Sequence, residues 1–139
     1  MTAAEGASGD PARWEVRPRS SAPDEGVPPA VEVLHQELAR IEHRIDDVIA
    51  QGREEFAEGS DSYDRATVAV LRLAALFEDT KRFSGLLDVV TLDERRGITT
   101  TRNIAAHSGY GAMNTEIFWH TVTERLPEVI TRLRTVNRL

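Results

Sequence analysis

The sequence predicts an all-α fold: a small antiparallel bundle of four or five helices (residues 29–139) behind a disordered N-terminal tail (residues 1–28). Three observations predict it. Apolar residues recur at steps of three and four in successive segments, the spacing of one helical face. Cap and stop residues stand at the ends of those segments. No stretch of useful length alternates apolar and polar residues as a half-buried strand would, and there are no internal repeats.

Residues 1–28 are rich in Pro, Gly, Ala, Ser and acid, with no apolar period. Such a segment cannot bury enough surface to offset the entropy of ordering, so a disordered tail is predicted. Trp14 is its exception, and reads as a stray aromatic. Pro28–Pro29 closes the tail, and Pro29 suits the first turn of a helix. Leu34, Leu38, Ile41, Ile45 and Val48 then form one apolar stripe on a helix over residues 30–51. The steps match a coiled-coil seam, but two heptads suit a bundle or dimer contact. Glu37, Arg40, Glu42, Arg44, Asp46 and Asp47 make the solvated face, with His35 and His43 among them.

Gly52 stops this helix. Asp61 or Ser62 can cap the next through a side-chain oxygen. That helix is predicted over residues 63–82. Its middle, ATVAVLRLAALF, is apolar nearly all round with Arg72 its only charge, so it takes the centre of the bundle. Ser84–Gly85 ends it. Thr91-Leu-Asp-Glu94 fits a capping box, which starts a third helix over residues 92–107. Asn114 or Thr115 can cap a fourth, carrying Ile117, Phe118, Val122 and Leu126. Pro127 lacks an N–H and crowds the preceding turn, so a kink or a fresh start is predicted there. Val129, Ile130, Leu133 and Val136 form the apolar face beyond it.

The 139 residues are 40% apolar, which suits one domain with a modest core. The absence of cysteine rules out disulfides and thiolate metal sites, and fits a reducing, cytoplasmic setting. No apolar run approaches the roughly 18–20 residues that a membrane span needs. The N-terminus, MTAAEGASGDPARWEVRP, has no apolar core of a signal peptide. The net charge of −6 argues against indiscriminate nucleic-acid binding. It is unevenly placed: residues 1–80 carry 8 basic and 17 acidic side chains, residues 81–139 carry 9 and 6. The second part is therefore mildly basic, which permits a phosphate partner there and equally fits a solvated helical surface.

That basic part holds the arrangement most like chemistry, TTTRNIAAHSGYGAMNTEIFWH (Thr99–His120). Asn103 and His107 are four apart and share a helical face, with Arg102 one step to the side. Ile104 and Ala105 can then turn to the core while Arg102, Asn103 and His107 face a cleft. Small Ala105 and Ala106 admit a neighbouring helix. His can give or take a proton near neutrality. Arg presents a permanently charged fork suited to phosphate. Asn can orient either of them. A cation beside a proton-transfer group suffices to cleave RNA, whose own 2′-hydroxyl is the nucleophile. Tyr110 adds a phenol. The same residues also fit a helix-terminal His beside its own C-terminal carbonyls, with a surface Arg. His107 and His120 are thirteen apart with no supporting cluster, so neither a metal nor another cofactor is predicted.

ITTTRNIAAHSGY followed by NTEIFWHTVTERLPEVI resembles the HepT-like branch of the HEPN superfamily, over residues 98–130. The superfamily motif is Arg, a polar residue, then His after four to six intervening residues, matched by Arg102, Asn103 and His107. Glu116, Phe118–Trp119 and Leu126–Pro127 match the branch's downstream acid, aromatics and Leu-Pro. The resemblance implies an all-helical, metal-independent endoribonuclease acting on RNA. It implies a homodimer whose motif helices line one cleft, and a toxin paired with a nucleotidyltransferase antitoxin. Arg102 would bind the phosphate, His107 would be the general acid/base, and Asn103 would orient them. In the branch a Tyr two residues after the His can be adenylylated by the antitoxin. Here Tyr110 stands three after, beyond Ser108–Gly109. The competing expectation is a non-catalytic helical module that binds a nucleotide, RNA or partner protein through the same cleft.

Overall fold

The computed structural model describes residues 28–107 and 113–138. Among them there is helix, turn and no strand. Helix α1 spans Ala30–Gln51, α2 spans Asp61–Glu78 and α3 spans Leu92–Ala106. The last rod joins α4 (Thr115–His120), a π-helical segment (Thr121–Arg125) and α5 (Leu126–Val136) without leaving right-handed helical backbone. Helix α1 packs on α2 and on the last rod, while α3 packs on α2. The result is the all-α bundle that the periodicity predicts. The expected tail, with Trp14, lies outside the described residues.

The α1 stripe of Leu34, Leu38, Ile41, Ile45 and Val48 is buried to 2% exposure or less. It is thus taken up by the protein's own core and is not a seam for a second chain. Pro29 precedes the first turn as its N-cap, and its carbonyl accepts from the N–H groups of Glu32 and Val33. Gly52 stops α1 at φ +89°, a conformation that disfavours any Cβ. His35, expected on the surface, is half-buried: its Nε2–H donates to the carbonyl of Asn137, 102 residues away.

Helix α2 is capped by Ser60, not by Asp61 or Ser62; the Ser60 hydroxyl accepts from the Tyr63 N–H at 3.1 Å. It carries Ala66, Ala69, Val70, Leu73 and Ala74 into the core. Arg72 is matched by Glu37 of α1, Nη2 donating to both carboxylate oxygens at 2.9 and 3.0 Å. At one end of the bundle Phe56, Tyr63, Phe118 and Trp119 form an aromatic cluster with ring centroids 5.1–5.4 Å apart.

Helix α2 ends at Glu78, four residues short of the expected Arg82, and a chain of turns covers residues 79–91. Phe83, Leu87 and Val90 are buried there, so the apolar spacing is helical while the backbone is not. The turns are held by donors from elsewhere. Arg95 reaches the Leu87 carbonyl at 2.8 Å, Arg132 reaches Val89 at 3.1 Å, and the side chain of Asn137 reaches Leu86 at 2.7 Å. These long-range bonds satisfy carbonyls that a continued helix would have used internally.

The disturbance expected at Pro127 is relieved upstream of it. The Leu126 N–H bonds back five residues to the Thr121 carbonyl, a π-turn, and Pro127 then stands in the first turn of α5. The turn has a packing consequence. Phe118, Val122 and Leu126 follow at two steps of four, which an α-helix of about 100° per residue would spread over about 80° of its surface. The wider turn brings them closer to one line, and all three are buried.

Candidate active site

Helix α3 is fastened at its N-terminus. The Thr91 hydroxyl accepts from the Glu94 N–H at 3.1 Å, and the Glu94 carboxylate accepts from the Thr91 N–H at 2.9 Å. This is the predicted capping box. The other Glu94 oxygen binds Arg132 of α5. The hydrogen bond from Arg132, then the Thr91 N–H, hold the Glu94 carboxyl below its usual range. Arg95 adds a second clamp, its guanidinium 5.4 Å from the Phe77 ring centroid.

Beyond these contacts α3 is lightly buried, with Ile98 its one buried residue. Ile104 and Ala105 are half-buried, so the expectation that they turn to the core holds in part. Asn103 and His107 are exposed, Asn103 on the helix and His107 at its C-cap, where the His107 N–H donates to the Ile104 carbonyl at 3.3 Å. Arg102 stands four residues after Ile98 and leans toward α2. Its Nη1 pairs with Glu78, and its Nε donates to Asn103 Oδ1 at 3.2 Å. Arg102 is thus joined to Asn103, while the exposed face next to it carries His107. Tyr110 lies outside the described residues.

A groove of about 530 Å³ separates α3 from the last rod. Gly97, Ile98 and Thr101 line one wall, and Ile117, His120, Thr121 and Arg125 line the other. His120 sits between two carboxylates, Nε2 3.2 Å from Glu116 and Nδ1 3.1 Å from Glu124. Arg53 takes another oxygen of Glu116 at 2.9 Å. Among the described residues no three His, Asp or Glu side chains form a metal-binding group, and no helix is long and apolar enough to cross a membrane.

Around the site, two features escaped the sequence. The π-turn leaves no compositional mark. Glu78 did leave one: it ends α2, and a carboxylate beside the C-terminal carbonyls of a helix is unfavourable unless a cation answers it. That signal was hidden because the apolar pattern ran on to Arg82. No protein-family model, curated protein or solved structure matches the chain.

Proposed function

We propose that the chain is a metal-independent endoribonuclease of the HEPN kind, working as a homodimer whose α3 helices line one cleft. The observation that carries this reading is the Arg102–Asn103 hydrogen bond one turn before the exposed His107, all at the end of one helix. Arg102 binds the scissile phosphate and Asn103 aligns its guanidinium. His107 moves the protons: as base it takes the 2′-hydroxyl proton, and as acid it protonates the leaving 5′-oxygen. The 2′-oxygen bonds to phosphorus as the 5′-oxygen departs, leaving a 2′,3′-cyclic phosphate and a 5′-hydroxyl. A second copy supplies a second Arg102 and a second His107, so base and acid can come from different chains. The cellular role that goes with this chemistry is the toxin of a pair whose antitoxin is a nucleotidyltransferase, with Tyr110 as the residue modified.

The test is RNA cleavage in EDTA by the wild type, Arg102→Ala and His107→Ala, with end-group analysis of the fragments. Cleavage by the wild type alone, leaving cyclic-phosphate ends, supports the reading. A folded wild type that binds several RNAs without cutting any selects the alternative, a non-catalytic helical module using the same cleft.

A further inference from the structure

Glu78 is the last residue of α2, and its carboxylate pairs with Arg102 Nη1. Three circumstances make this contact more than a surface ion pair. It engages the cation assigned to phosphate, on an edge from which an Arg grips an anion. It is reversible, because the Glu78 side chain is 59% exposed and bonds between exposed charges are weak. It also sits where a carboxylate is disfavoured by the helix itself, with no basic residue in the last turn of α2 to offset it. Helix stability therefore gives no reason for an acid at this position, whereas Arg102 does.

We propose that Glu78 is a built-in competitor for Arg102: its carboxylate occupies the place that an RNA phosphodiester takes, and RNA binds by exchanging phosphate for Glu78. This rests on the reading of Arg102 as a phosphate ligand. Glu78 then sets RNA affinity without touching the reacting atoms, and the empty protein keeps its phosphate-binding cation neutralised. Lys81 and Arg82, both exposed in the turn that follows, are cations close in sequence to the released carboxylate. Arg82 is already laid over the Phe83 ring, 5.5 Å from its centroid.

The experiment is a binding cycle by fluorescence anisotropy, using a labelled single-stranded RNA whose 2′-hydroxyls are methylated so that it cannot be cleaved. The proteins are wild type, Glu78→Gln, Arg102→Ala and the double variant, each checked for helicity by circular dichroism. Glu78→Gln is expected to tighten binding roughly two- to fivefold, the size of one exposed ion pair. The gain is expected to vanish in the Arg102→Ala background. Unchanged or weaker binding by Glu78→Gln overturns the proposal, as does an equal gain in both backgrounds, which would be general charge repulsion. Should Glu78→Gln lose helicity, Glu78→Ser takes its place in the cycle with the same expectations. If Arg102→Ala binds as tightly as wild type, the phosphate role of Arg102 fails, and that result is distinct from the failure of Glu78 alone.

Discussion

Arg132, on the last helix, holds the Glu94 carboxylate in the first turn of α3 and the Val89 carbonyl just before it. One guanidinium therefore ties three parts of the chain together at the end of α3 opposite Arg102. The motif helix is anchored at its start and exposed at its finish.

This anchor gives a pH dependence. The folded Glu94 carboxyl titrates below its ordinary value of 4.5. Its contribution to stability is complete above that value and is lost as pH falls through the lowered folded one. With the side chain 32% exposed, Glu94→Gln is expected to cost under about 1 kcal/mol near neutrality. The deficit should shrink toward zero in acid. Glu94→Ala also loses the carboxylate half of the capping box, the bond from the Thr91 N–H, and should cost about 1–2 kcal/mol. Urea unfolding of the three proteins, from about pH 7 down to about pH 3, checks both.

Asn137→Ala tests the turns that follow α2. The buried Asn137 amide donates to the Leu86 and Leu133 carbonyls at 2.7 and 2.9 Å, and its own carbonyl takes the His35 bond. Removing the amide strands the Leu86 carbonyl, while the Leu133 carbonyl keeps the Asn137 backbone N–H, and is expected to cost about 1–3 kcal/mol. Amide hydrogen exchange should quicken across residues 79–91 before it does in α1.

Tyr63 sits in the aromatic cluster, and burial, then the charges of Glu58 and Asp64, push its phenol above 10.0. The chain has two tyrosines. Absorbance near 295 nm should show a late-titrating phase that Tyr63→Phe removes. A phenol whose folded value is raised stabilises the fold below its unfolded value and loses that contribution as pH rises. Tyr63→Phe should therefore flatten the alkaline loss of stability.

His107 and Asn103 are exposed, so replacing either by Ala is expected to change stability by no more than about 0.5 kcal/mol. On the proposed mechanism, His107→Ala lowers the cleavage rate by about a hundred- to ten-thousandfold. Single-turnover cleavage beside urea unfolding of the same samples checks this. A parallel loss of stability and activity would return His107 to a structural role.

What was legible in the sequence was local. The Thr91–Glu94 box and the Asn114 cap depend on partners three residues apart; the box forms as read, and Asn114 is the one of the two candidates, Asn114 and Thr115, that caps. The stripe from Leu34 to Val48 depends only on its own period. What was not legible was decided at a distance. The end of α2 at Glu78 depends on Arg95, Arg132 and Asn137 reaching the turns from later helices. The partner of Arg102 stands 24 residues before it. The Ser60 cap was missed because three neighbouring residues, Ser60, Asp61 and Ser62, all have capping chemistry and only backbone geometry selects one. For the site, sequence placed Arg102, Asn103 and His107 at the end of one helix, and that is where they lie. Their different exposures follow from the packing of α2 against α3.

The π-turn at Thr121–Arg125 can be restated as a matter of chain length. A wide turn holds one residue more than a regular helix over the same rise, so the last rod carries a surplus residue. Deleting a residue from mid-helix ordinarily rotates everything beyond it off the core. Here, deletion of the exposed Glu124 would change the spacing of Phe118, Val122 and Leu126 from four-and-four to four-and-three, which a plain α-helix satisfies. The shortened chain is therefore expected to keep its helicity and cooperative unfolding, while the same deletion in α1 destroys both. The rod would then be the rare helix that becomes more regular by losing a residue.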